Sequence, residues 1–247
     1  MTTALHSRVD VIDAAGRALI YSVLANGFAQ PTSGRLTLLR ENLIPAALLL
    51  DLGEPLSDLL HDLAASLPTN VDTARDHHMA LFPPITSQDA PGYETAYRGD
   101  GIFQQTALLA DIAGFYRAQG LRAGGDERER LDHVTVELEF LAVVARKELG
   151  ALLDNRADDA VTCADMSSLF IRDHLGCWGP AFGRRAAAIA PSPWYRCLGT
   201  LLASWVEIDA SAAGVVPTDV VEDPLPQDPP DDGMCGPCPV PRAGGSP

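Results

Sequence analysis

One stretch constrains the fold more than any other: DERERLDHVTVELEFLAVVARKELG, from Asp126 to Gly150. Read at about 100° per residue, Leu131, Val134, Leu138, Leu141 and Ala145 form one apolar stripe. Val136, Phe140, Val143 and Val144 form a second on roughly the opposite side. A helix apolar on two sides must be enclosed by other helices, so the pattern predicts the middle of an α-helical bundle. Asp132, His133 and Glu137 interrupt that surface. His133 and Glu137 are four apart and share a face between the stripes. A polar pair there either satisfies itself inside the bundle or faces a groove and binds something; both readings stay open. Two side chains are too few to hold a metal.

Helical periodicity recurs elsewhere, while two-residue alternation persists nowhere. Helices are expected over Val9–Phe28, Leu36–Asp51, Pro55–Leu67, Ile102–Gln119, Ala160–Leu175, Gly179–Ile189 and Pro193–Ala213. Between Pro68 and Gly101 the pattern dissolves among Pro68, Pro83, Pro84 and Pro91, which predicts a long irregular loop over about 68–101. From about residue 216 the chain is rich in proline and acid, with Asp219, Glu222, Asp223, Asp228, Asp231 and Asp232 against Arg242. Such a composition buries too little apolar surface to fold. The fold class read from the sequence is therefore all-α: a single helical bundle domain over 1–215, then a disordered acidic tail over 216–247.

A net charge of −15 makes nucleic acid a poor partner and favours cationic polypeptide segments. No run of apolar residues is long enough for a membrane span. Met1–Asp10 has no basic n-region before an apolar stretch, which predicts a cytoplasmic protein. Of the five cysteines, Cys163, Cys177 and Cys197 sit in apolar helical contexts, as inert thiols of a reduced compartment would. Cys235-Gly-Pro-Cys238 lies in the tail, without the strand-to-helix setting that activates a thioredoxin thiol.

Enzyme signatures are missing. There is no dinucleotide or P-loop glycine pattern, no nucleophile elbow, no HExxH and no Glu-x-x-His. His61-Asp62 alone hints at an all-helical metal hydrolase of the HD type, against the plainer reading of a solvated helix face. His77-His78 read first as polar loop residues.

Three ordered segments carry a resemblance: LFPP…APGYETAY over Leu81–Tyr97, LDHVTVELEFLA over Leu131–Ala142, and FIRDHLGCW over Phe170–Trp178. Together they resemble the TorD/DmsD/NarJ family of all-helical molybdoenzyme chaperones, with looser similarity to the subgroup serving type II dimethyl-sulfoxide-reductase-like enzymes. His77 and His78 stand where that family has Glu and Tyr. The resemblance implies a cytoplasmic maturation chaperone, not an enzyme. Its partner would be the catalytic subunit of a molybdopterin oxidoreductase, gripped at its twin-arginine signal region while molybdenum cofactor is inserted before export. It implies no cofactor of the chain's own, contact with the client's bis-molybdopterin guanine dinucleotide being the nearest approach. Partner-binding candidates are Leu81, Phe82, Tyr93, Tyr97 and Trp178 as anchors and Glu94, Asp132, His133, Glu137, Asp173 and His174 as polar contacts; none is expected to be catalytic or metal-ligating. Beside it stand the HD-type hydrolase and an accessory subunit retained on the mature enzyme.

Overall fold

A computed structural model describes residues 2–83, 89–99, 101–122 and 129–221. In chain order the helices are α1 (Thr2–Phe28), α2 (Ser33–Leu38), α3 (Ile44–Ala47), α4 (Leu56–Ser66), α5 (Val71–Leu81), α6 (Thr95–Arg98), α7 (Ile102–Ala118), α8 (Val134–Leu153), α9 (Ala157–Phe170), α10 (Gly176–Ile189) and α11 (Pro193–Ala212). Among the described residues there is no strand, only an isolated antiparallel bridge between Tyr93 and His133. The all-α expectation holds.

The doubly apolar stretch is central because both its stripes find neighbours. Val134, Leu138, Leu141 and Ala145 are buried, as are Phe140 and Val144 from the other side. Helices α1 and α9 pack along α8, and α10 pairs with α11. In that second pair the backbones touch at Gly183 and Gly199. A Cβ at Gly199 would lie 2.5 Å from the Gly183 carbonyl oxygen, so only glycine fits.

Helix α1 starts at Thr2 rather than Val9, and α8 at Val134 inside the stretch read as helical from Asp126; four further departures bear on the site. The segment 68–101 is not uniformly irregular, for it contains α5. Asn70 caps that helix, its side chain accepting from Thr73 N at 2.9 Å, and Ala74 and Leu81 turn to the core. The stretch Leu36–Asp51 is broken by a π-helical turn at Leu39–Leu43. A second π turn at Ile171–Leu175 joins α9 to α10, so the helix runs on through the expected break at Gly176.

The fourth is the tail. Gly214, at φ +67°, turns the chain back. Thr218 N then donates to Arg172 O at 3.0 Å and Val221 N to Cys177 O at 2.8 Å. Residues 215–221 therefore form a strap against the second π turn and α10, and all of it but residue 215 falls in the span expected to be unstructured. The remainder of the expected tail, with Cys235 and Cys238, lies outside the described residues. Among those described, no helix is long and apolar enough to cross a membrane.

Candidate functional site

The bridge between Tyr93 and His133 organises the motif residues. Glu94 N donates to Asp132 O, and Val134 N to Gly92 O, each at 2.9 Å. In extended backbone, successive side chains point to opposite sides. Tyr93 and His133 accordingly face one way, and Glu94 and Asp132 the other. His133 is also the N-cap of α8, extended at φ −77° and ψ 140°. It is therefore not on a helical face shared with Glu137, as the four-residue spacing suggested.

The outward side is the wall of an open cavity of about 1270 Å³, whose lining includes Leu81, Phe82, Tyr93, His133 and His78. Val136 and Val143, the half-buried part of the second α8 stripe, continue the wall. Phe82 stacks on Phe182 at 6.2 Å between centroids and lies 4.9 Å from His78. Tyr93 meets His133 edge-on at 5.0 Å, with the Arg130 guanidinium 4.6 Å above the Tyr93 ring. The Tyr93 hydroxyl donates to Glu129 at 3.1 Å. A side chain at Gly92 would collide with His133 Nε2 and Phe82 Cε1, both 2.9 Å from an added Cβ.

Burial sets the charge of this wall. It pushes His133 down to about 4, with the nearby Glu129 acting in the opposite direction. Burial also lowers His78. Both imidazoles are thus neutral near pH 7. The charged lining is mixed, with Glu129 and Glu139 against Arg35, Arg122 and Arg146.

The inward side is closed to solvent, which corrects several expectations. Asp132 is 0% exposed. It accepts from Thr95 N at 3.2 Å, Thr95 Oγ1 at 2.7 Å and Arg130 Nη2 at 3.0 Å. Glu94 is bound by Arg98 and lies 3.0 Å from His174 Nδ1. Glu137 accepts from Trp178 Nε1 at 3.1 Å. Burial, then the charge of Glu94, raises Glu137 well above the ordinary carboxylate range. Trp178 packs against Tyr97 at 5.3 Å. Glu94, Asp132, Glu137, His174 and Trp178 are therefore core residues that no partner reaches in this state. Asp173 is half-buried and paired with Arg172 at 2.6 Å, whose hydrogen bond lowers its pKa. Tyr97 lines a separate groove rather than the cavity.

The adjacent histidines diverge on α5 rather than on a loop. His78 lines the cavity, while His77 Nδ1 lies 2.9 Å from Ser192 Oγ. The sequence reading missed His78, Glu129 and Arg130 as site residues. The available signal was Asn70, whose N-cap would have set the α5 register and placed His78 one turn before Phe82. His61 and Asp62 stand exposed on α4. Among the described residues, no three His, Cys, Asp or Glu side chains cluster to hold a metal.

Against this geometry stand the likenesses to known proteins. A family model described as "Nitrate reductase delta subunit" matches residues 47–184. The chlorate reductase assembly chaperone protein of Ideonella dechloratans is 34% identical over 110 residues, which is 44% of this chain and 55% of the relative. The selenate reductase assembly chaperone protein of Thauera selenatis is 33% identical over 122 residues, 49% of this chain and 60% of the relative. The chain thus spans little more than half the length of these curated relatives. The family match takes in more than half of the chain and all the motif residues around the bridge, and the chain belongs to the nitrate reductase delta subunit family, the TorD/NarJ family that its motifs resemble.

Proposed function

We propose that this protein is a maturation chaperone that binds the catalytic subunit of a molybdopterin oxidoreductase before export. The twin-arginine signal region of that subunit is the segment it grips, and holding the subunit unfinished permits molybdenum cofactor insertion in the cytoplasm. Family membership and the two reductase assembly chaperones support the class of function. The reading rests above all on the cavity, which is large and open and is lined by Phe82 and Tyr93 together with the buried Leu81 and His133. Those four are motif residues, and their uncharged side chains offer an apolar segment a place to bury.

Burying one large apolar client side chain there is worth about 1.5–3 kcal/mol. The carboxylates first expected to meet the arginines are buried, Glu94 and Asp132 being held by internal partners, and the cavity lining itself is mixed in charge. Apolar anchors therefore set affinity, and the overall negative charge speeds encounter with a cationic segment. The hydrolase reading has no support from the exposed His61-Asp62 pair.

Calorimetry with the N-terminal peptide of a chlorate- or selenate-reductase-type catalytic subunit tests the proposal. Saturable binding is expected, at least about 10-fold weaker for a scrambled peptide and for Phe82→Ala, since one lost anchor of this size is worth more than about 1.4 kcal/mol. Equal binding of the scrambled peptide would refute it. Co-purification with the finished, cofactor-loaded enzyme would instead mark a retained accessory subunit.

A further inference from the structure

The open and closed sides of the bridge meet at one side chain. Tyr93 lines the cavity, whereas Thr95 and Asp132 are buried on the closed side. Arg130 touches all three. A turn brings it there: His133 N donates to Arg130 O at 3.1 Å, which folds residue 130 back beside the start of the bridge.

The edge of the guanidinium is fixed by the closed side. Nε donates to Asp132 Oδ1 at 3.1 Å and Nη2 to Oδ2 at 3.0 Å, a two-point fork on one carboxylate. Nη2 also donates to Thr95 Oγ1 at 2.8 Å, and that hydroxyl donates in turn to Asp132 Oδ2 at 2.7 Å. A fork held at two points sets the plane of the group as well as its place. Its face is then presented to Tyr93, with Cζ 4.6 Å from the ring centroid.

The other contacts of Tyr93 leave this one a task. The phenol oxygen lies on the axis about which the ring turns, so its bond to Glu129 holds the tip without setting the tilt. His133 meets the ring from one edge. A flat cation on the face resists rotation, because turning the ring would drive its edge into the guanidinium. We infer that Arg130 is a positioning residue for the cavity: anchored on Asp132 by its edge, it fixes with its face the tilt of the Tyr93 ring against which an apolar client segment lies. Lysine cannot replace it, since a point charge on a flexible stem does not fork a carboxylate and lie flat on a ring at once. The service to a client rests on the function proposed above; the hold on the ring does not.

A double-mutant cycle on the full-length protein, with the catalytic-subunit peptide and calorimetry, tests this. Arg130→Lys should weaken the peptide about 2- to 5-fold, the scale of one exposed cation–π contact. The penalty should persist in Tyr93→Phe, which keeps the ring, and vanish in Tyr93→Leu, which removes it. Urea titration of each variant records what Arg130→Lys costs the fold through Asp132, a loss common to all three backgrounds. Fluorine NMR of protein carrying 3-fluorotyrosine reads the ring directly. The Tyr93 signal, assigned by its absence in Tyr93→Phe, should shift and broaden in Arg130→Lys. An equal affinity penalty in Tyr93→Leu would show that Arg130 serves the fold alone and would overturn the inference. A Tyr93 signal unmoved by Arg130→Lys would overturn it too. If no peptide binds the native protein, the function proposed above falls, and the fluorine signal alone decides whether Arg130 sets the ring.

Discussion

Tyr93 and Glu94 are neighbours, as are Asp132 and His133, yet each pair is split between two environments. Tyr93 and His133 look into an open cavity with neutral rings, whereas Glu94 and Asp132 look into a dry core and are held by Thr95, Arg98, Arg130 and His174. The cause is the single bridge, which imposes two-residue alternation on a short piece of an otherwise helical chain. The difference teaches that residues in one motif need not share a task. The acids hold the two segments in register, and the rings they position line the cavity. A buried carboxylate with three donors is costly to disturb, while an aromatic ring at a cavity rim is free to serve a ligand.

The largest effect should come from breaking the inward side. Asp132→Ala leaves the buried Thr95 donors without their acceptor and should cost about 2–4 kcal/mol. Urea titration checks this, and peptide capture should fall only in step with stability. If Asp132→Ala melts normally yet loses capture, the inward acids take part in binding and the division fails.

The cavity wall should show itself in the pH dependence. His133 sits at about 4 against an ordinary 6.5. Below pH 6.5 the unfolded chain takes up the proton that the folded ring refuses. The native state should then lose up to about 3 kcal/mol between pH 6.5 and pH 4. His133→Gln should flatten that loss, as seen by urea midpoints at the two ends.

Phe82→Ala removes a ring packed on Phe182 and His78 from a half-buried position, and should cost about 1–3 kcal/mol. Capture of the client peptide should fall further than stability does, which is the reverse of Asp132→Ala.

The smallest effect belongs to Glu137→Gln. Burial raises the native carboxyl above its ordinary value, so as pH rises past that value the unfolded chain ionises first and stability declines. The substituted amide keeps an acceptor for the Trp178 indole and stays neutral. The change should cost under about 1 kcal/mol at pH 5, and gain on the native protein by pH 8. A large loss at both pH values, measured by urea titration, would show that Glu137 is charged.

The helical architecture was legible in the sequence wherever an apolar stripe was long. The two stripes of α8 announced a buried central helix, and α1, α4, α7 and α11 lie close to where periodicity put them. Helix α5 was hidden because Pro68, Pro83 and Pro84 frame it and its apolar content is low; the capping Asn70 was its clearest trace. The cavity residues Leu81, Phe82, Tyr93 and His133 were visible through their motif. Which way each motif residue points was not, because that depends on a bridge between segments forty residues apart.

By itself the sequence determined an α-helical bundle, an acidic surface and membership of a chaperone family, since periodicity, charge and ordered motifs are properties of the chain in one dimension. Only the tertiary structure decided that Glu94, Asp132 and Glu137 are sealed while Tyr93 and His133 line the cavity, and that residues 215–221 return to border a second groove. Burial is a property of neighbours distant in sequence. It sets a side chain's accessibility and its charge, and no local spacing contains it.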